Sequence, residues 1–216
     1  MSRDEYDRYY TPAAMAEAIA TSVKLPVSPV IWEPHCGSGS FVDAFKPLTK
    51  RLYISDIDKE SPCLNKYEKN EDGTFNDKVV RSFGVKNFLK VDPYKSHVNV
   101  ILGNPPYSAK GECGDAEQHV RHAVKILSNK ENTNNSDWSV IFLLRIGFLA
   151  SKQRSEFYAK FKPAEVHVSF NRPSFSGPMM VSGGTDSQEY AVIVWTKSSV
   201  ENTNTEVKLK WLPLWK

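Results

Sequence analysis

With 216 residues, the chain can build one sizeable α/β domain but not two ordinary ones. Its 40% hydrophobic and 25% charged residues exclude disorder and a fibrous repeat, and no apolar run reaches the roughly eighteen residues of a membrane span. Twenty-eight basic against 25 acidic side chains leave +3, which permits a nucleic-acid partner without arguing for one.

In chain order, Met1–Tyr6 is polar and acidic, unlike a secretory leader. A helix is predicted next, with Thr11 as N-cap, Pro12 at its first position and Ala13–Ala20 continuing it until Pro26 and Pro29. Val30–Glu33 reads as a strand, followed by a Gly-rich turn at Gly37–Ser40 and a helix start at Phe41–Phe45. Arg51–Asp56 is a second strand and Asn65–Lys78 a polar, mobile loop. Lys86–Leu89 is expected as the third strand and Asn99–Gly103 as the fourth, stopped by Pro105 and Pro106. Apolar spacing predicts a helix over Ala116–Leu127, and the run Val140–Leu144 a buried strand. A helix over Ser151–Phe161 follows. Strands at Glu165–Phe170 and Tyr190–Trp195 then flank a Gly, Ser and Pro-rich segment at 173–187. The tail Lys208–Lys216 reads as a last packing strand. Alternating strands and helices predict a doubly wound, mostly parallel sheet with a late antiparallel hairpin. Cys36, Cys63 and Cys113, odd in number and without paired spacing, indicate a reducing, cytoplasmic compartment rather than disulfides or a metal site.

Three segments carry chemistry. Glu33-Pro34-His35-Cys36-Gly37-Ser38-Gly39 joins a strand end to a helix start through a tight turn, the usual way for a ligand to approach backbone amides. It is neither a dinucleotide fingerprint nor a P-loop. Asp56, followed by Ile57 and Asp58, ends the next strand, where a carboxylate suits the two hydroxyls of a ribose or else caps a helix. In Asn104-Pro105-Pro106-Tyr107, two prolines stiffen the backbone after a buried strand. The Asn104 amide and a neighbouring carbonyl then form a pair of acceptors for a planar amino group. Tyr107 offers a face for ring stacking.

Together these residues resemble the S-adenosylmethionine-dependent amino methyltransferases, in particular the DNA adenine-N6 group with γ-type motif order. Asn104-Pro105-Pro106-Tyr107 matches that family's catalytic motif, and Glu33–Phe41 is similar to its cofactor loop, with Glu33, Pro34, His35, Cys36, Gly37, Gly39 and Phe41 in cofactor-binding places. Tyr9-Tyr10-Thr11-Pro12 resembles the segment that closes over the methionine end, and Asp56 with Ile57 the ribose-binding position. One departure is Asn87-Phe88-Leu89, where the family commonly has Asp-Phe-Leu; Asn87 or Asp92 is then expected at the cofactor adenine, with Phe88 either beside its ring or in the core.

The resemblance implies a seven-stranded class I methyltransferase sheet and direct in-line methyl transfer from S-adenosylmethionine to an adenine flipped out of duplex DNA. Asn104 and Pro105 would accept the two amino hydrogens. Tyr107 would stack on the base, with Phe175 or Phe170 on its other side. Lys110, Lys152, Arg154 and Arg172 would reach the DNA backbone or are ordinary surface cations. The alternatives are RNA adenine, cytosine N4, a protein glutamine, or an inactive cofactor- or nucleic-acid-binding subunit. A single methyltransferase domain over 1–216 is expected, without a target-recognition domain, with sequence choice left to loops, a partner subunit or a homodimer. The setting implied is a bacterial or phage-encoded restriction-modification or anti-restriction system.

Overall fold

The apolar runs at the middle of the chain become the middle of one sheet. The computed structural model describes residues 8–92, 97–107, 113–129, 137–176, 186–202, 204 and 206–215. Its strands are β1 (Val30–Glu33), β2 (Arg51–Asp56), β3 (Val80–Val85), β4 (Val100–Gly103), β5 (Ser139–Arg145), β6 (Glu165–Val168), β7 (Tyr190–Thr196) and β8 (Lys208–Trp211). They pair in the order β3-β2-β1-β4-β5-β7-β6-β8. The first five run parallel; β7 lies antiparallel between β5 and β6, and β8 is parallel to β6.

Burial explains the order. All four residues of β4 are buried, as are six of the seven in both β5 and β7, so these strands can only sit inside the sheet. Trp32 is fully buried in β1, yet its indole N–H is satisfied by Ser55 Oγ at 3.0 Å. Helices α1 (Ala13–Ser22), α2 (Ser40–Phe45), α3 (Pro62–Lys66), α4 (Ala116–Leu127), α5 (Ser155–Lys160) and α6 (Lys197–Glu201) complete the described elements. α4 is held by a capping box in which Asp115 accepts from the Gln118 amide and Gln118 accepts from the Asp115 amide. No helix among the described residues is long and apolar enough to cross a membrane.

The doubly wound, mostly parallel sheet with an antiparallel pair is as read from the sequence, with eight strands where seven were expected. Four local expectations are corrected. The third strand is Val80–Val85; Lys86–Leu89 instead leads into a 3-10 turn at Phe88–Lys90, where the Asn87 side chain accepts from the Leu89 amide. The polar loop read over 65–78 begins with the last two residues of α3 and carries a bridge between Lys69 and Phe75. Pro12, not Thr11, is the N-cap of α1, because Thr11 Oγ1 accepts from a distant residue, Asn104. The helix read over Ser151–Phe161 is a 3-10 turn at Lys152–Arg154 followed by the six-residue α5.

The chain winds from β1 outward through β2 to β3, then returns to β4 on the other side of β1. Such a reversal leaves a crevice at the carboxyl ends of β1 and β4. Three of the chemistry-bearing segments end there.

Candidate active site

β1 ends in Glu33, β2 in Asp56 and β4 in Gly103, three adjacent strand ends followed by the loops read from the sequence. The loop after β1 is tied to its neighbours by backbone. The Cys36 amide donates to the Ser55 carbonyl at 3.1 Å, and the Gly37 carbonyl accepts from the Cys63 amide at 3.0 Å and from Ser61 Oγ at 2.9 Å. Gly37 has φ +46°, and a Cβ there would lie 3.0 Å from the Tyr10 ring, so only glycine lets the chain turn under that ring. Gly39, with φ +93°, starts α2 against Cys63. Pro34 and Phe41 are buried under the loop, and Cys36 packs there with its thiol 3.6 Å from Ser61 Oγ.

Asp56 is the anchor of the crevice. Its Oδ2 accepts from the Gly37 amide at 2.8 Å and its Oδ1 from the Asp58 amide at 2.9 Å. Burial pushes its carboxyl up to about 6 despite these two bonds. Asp58 in turn pairs with Arg8 at 3.3 Å. Glu33 is also driven well above the ordinary carboxyl range by burial, with the charges near Cys36, Asp56 and Asp43 adding to it. Its Oε2 and both ring nitrogens of His35 are buried and have no hydrogen-bond partner among the described residues.

The N-terminal segment closes the crevice as a strap. Tyr10 exchanges two backbone hydrogen bonds with Ser176, at 2.7 and 3.2 Å. Asn104 Nδ2 donates to the Tyr9 carbonyl at 2.9 Å and to Thr11 Oγ1 at 3.2 Å, while its Oδ1 accepts from the Tyr107 hydroxyl. The amide is thus oriented by both its ends. Pro105 is buried and Pro106 lines the crevice beside Ile57, Asp56 and Tyr10. The space left under the strap is about 60 Å³.

Other predicted site residues lie around this centre. Tyr107 is 8% and Phe175 3% exposed; they share an aromatic cluster with Tyr9 and Tyr190, ring centroids 5.0–6.3 Å apart. Neither presents a free face in this state. Phe170, the alternative to Phe175, is instead stacked on Trp211 at the far end of the sheet. Asn87 caps its own turn and Asp92 is exposed after it. Phe88 is buried against Trp32, His35 and His119. Arg172 pairs with Glu189 at the surface and Lys152 is exposed. Lys110 and the loop 177–185 lie outside the described residues. Sequence reading passed over Arg145 and Tyr190, which meet only through the β5–β7 pairing, Arg145 opposite Tyr190.

Beneath the loop, His119 of α4 stacks on Phe88 and faces His35 at 4.7 Å between centroids. Burial pulls its ring down to about 4, against the Asp115 carbonyl and charge, which favour the proton. A histidine kept neutral in the fold stabilises it fully above its ordinary value near 6.5, and that contribution is lost as pH falls through about 4. His119→Phe is expected to shallow the acid limb of stability by up to roughly 3 kcal/mol between pH 6.5 and 4. Urea unfolding across that range, with wild type alongside, measures it.

Among known proteins, no family model matches the chain. It is 28% identical over 159 residues to the type II methyltransferase M.NspV of Nostoc sp. (strain ATCC 29411 / PCC 7524), covering 65% of this chain and 32% of that protein. The chain thus spans about a third of the length of this curated relative. The methyltransferase subunit of a type I restriction-modification system from Streptococcus thermophilus superposes with a TM-score of 0.58 at 14% identity, over 94% of this chain and 47% of that one. A predicted O-methyltransferase of Agrobacterium tumefaciens gives 0.56 at 15% identity, over 91% and 84%. The fold is that of the methyltransferases. These matches imply S-adenosylmethionine as the methyl donor.

The crevice fits that donor in chemical type. Buried, unpartnered polar atoms at Glu33 and His35, donors and acceptors both, suit its polar groups, and the Asp56 carboxylate suits paired hydroxyls. The glycine turn at Gly37 keeps the loop backbone open to close approach once Tyr10 moves away.

Proposed function

We propose that the chain is a DNA adenine-N6 methyltransferase, acting on an adenine flipped out of a duplex. The observation that carries this reading is the orientation of Asn104. Its nitrogen is spent on the strap, which leaves its carbonyl oxygen as the acceptor facing Tyr107. An exocyclic amino group has two hydrogens to place, and Asn104 Oδ1 with the Pro105 carbonyl supplies two acceptors. As the nitrogen attacks, it gains positive charge and becomes tetrahedral, so fixed acceptors favour that state over the flat ground state. No general base is required at Asn104 for the bond to form: the nitrogen lone pair takes the methyl as it leaves the donor sulfur, and the methylated nitrogen then sheds its extra proton to water. The Tyr107 hydroxyl donates to this Oδ1 acceptor. The amino group must replace that hydroxyl, which frees the Tyr107 ring to turn and stack on the incoming base.

When bound, S-adenosylmethionine supplies an electrophilic methyl group. Glu33, His35, Asp56 and Ile57 would hold it, with Tyr10, Thr11 and Pro12 closing over it and Asn87 and Phe88 at the adenine side. Similarity to a type II methyltransferase and to a type I restriction-modification subunit supports duplex DNA as the substrate. We read 1–216 as one methyltransferase domain.

Incubation with unmodified duplex DNA and S-adenosylmethionine, followed by nucleoside mass spectrometry, tests the reading. N6-methyladenine is the expected product. N4-methylcytosine would move the target to cytosine. Methylation of RNA or a glutamine peptide, with DNA untouched, would overturn it.

A further inference from the structure

A second hollow of about 200 Å³ is lined by Tyr107, Leu144, Arg145, Phe148, Arg154 and Gln188. Among the described residues it shares no lining residue with the crevice, and Tyr107 links the two through its hydroxyl on Asn104 and its ring against Tyr9. Among the described residues, its walls carry two guanidinium groups and no carboxylate. Arg145, at the carboxyl end of β5, lies over the Tyr107 ring at 5.2 Å, and its Nε donates to the Tyr190 hydroxyl at 3.4 Å. Arg154 lies over the Phe148 ring at 4.5 Å. Its Nε is buried and has no hydrogen-bond partner among the described residues.

Glu117 pairs with Arg154 Nε at 3.6 Å, but its other oxygen accepts two bonds from Arg121, so this one carboxylate is shared by two guanidinium groups. Asp186 is engaged by the Tyr190 hydroxyl at 2.8 Å, one link removed from Arg145. Both guanidinium groups are half-buried against aromatic rings, where a charge-assisted bond is stronger than in water. A neutral base would gain little from two cations, whereas a phosphate matches two planar forks of donors.

We infer that this hollow binds one phosphodiester of the target strand, adjacent to the flipped nucleotide, between Arg145 and Arg154. This rests on the DNA reading above. Arg145 would then join two jobs, holding the strand by its phosphate and setting the Tyr107 ring beside it. It is a positioning residue, since it reaches the reacting atoms only through Tyr107.

The test uses the full chain with S-adenosylmethionine and a short duplex in which the methylated adenine has been mapped. Neutral methylphosphonates replace, one at a time, the phosphates flanking that adenine. With wild-type protein, one position is expected to raise KM about tenfold and to lower the slope of log affinity against log salt by about 0.9. Arg154→Gln on the unmodified duplex should raise KM similarly, with kcat within about threefold. Arg145→Gln combined with Arg154→Gln should flatten the slope by one phosphate, not two, and should be indifferent to the methylphosphonate.

Unchanged KM and slope at every methylphosphonate position overturns the proposal while DNA methylation itself stands. Because that arm uses wild-type protein, it holds even where a variant fails to fold. If wild type methylates no DNA, the substrate reading falls, and this proposal with it. Inorganic phosphate bound in calorimetry and lost in the double variant, with the methylphosphonate duplexes unaffected, assigns the hollow to a free anion and also overturns it.

Discussion

Asn104→Ala is expected to lower kcat for adenine methylation by about 10²- to 10³-fold, the loss typical of removing one preorganised polar group from a transition state. The side chain has two tasks that the substitution separates imperfectly. Its Oδ1 is the proposed acceptor of an amino hydrogen, and its Nδ2 ties down Tyr9 and Thr11. Loss of the tie frees the strap, so S-adenosylmethionine affinity should weaken as well, by about tenfold for two neutral hydrogen bonds worth roughly 1 kcal/mol each that are partly replaced by water. Asn104→Asp sharpens the distinction. It keeps an acceptor beside Tyr107 but sets a carboxylate oxygen against the Tyr9 carbonyl, 2.9 Å from the present nitrogen. It should therefore damage cofactor binding more than alanine does. Single-turnover kinetics together with calorimetric titration of the cofactor resolve the two effects. An alanine variant with full kcat and weak cofactor binding would reduce Asn104 to a clip for the strap.

The orientation of Asn104 shows where sequence reading reaches its limit. Asn104-Pro105-Pro106-Tyr107 was legible because two prolines after an apolar run permit few backbone paths. Glu33 and Asp56 were legible because each acid closes a short apolar strand. What spacing could not show is that Tyr107 turns inward to Asn104, since this depends on Tyr9, Phe175 and Tyr190 arriving from distant parts of the chain. Arg145 was illegible for the same reason, as only the antiparallel register of β5 with β7 sets it opposite Tyr190. β3 escaped notice on different grounds. It is an edge strand with a single neighbour, and in its pattern Val80-Arg81-Ser82-Phe83-Gly84-Val85 only Val80 is buried, so no apolar run marks it. Phe88 looked equally suited to a ligand ring and to the core. The histidines of α4, which no strand pattern announces, cover it from below.

Asp56→Ala is expected to weaken S-adenosylmethionine binding by roughly 100-fold, since it removes the proposed ribose acceptor and strands two backbone donors at about 1–3 kcal/mol each. Those donors are the amides of Gly37 and Asp58, both now bonded to the carboxylate. A subtler result follows from protonation. Burial raises this carboxyl to about 6. A raised carboxyl stabilises the fold below its ordinary value near 4, and that contribution is lost as pH rises through about 6. At pH 8 the ionised group is therefore costly to the fold, and hydroxyl donors from a bound ribose would offset that cost. Cofactor affinity should accordingly fall about tenfold from pH 8 to pH 5, as the binding form becomes the minor one. The rise in Tm on adding cofactor should shrink over the same interval. Glu33 is raised by burial too, so it is the competing source of any such profile. Asp56→Asn should bind weakly with a flat profile, whereas Glu33→Gln should keep the slope. The reverse pattern would transfer the titrating role to Glu33 and leave Asp56 as the brace that holds the Gly37 turn.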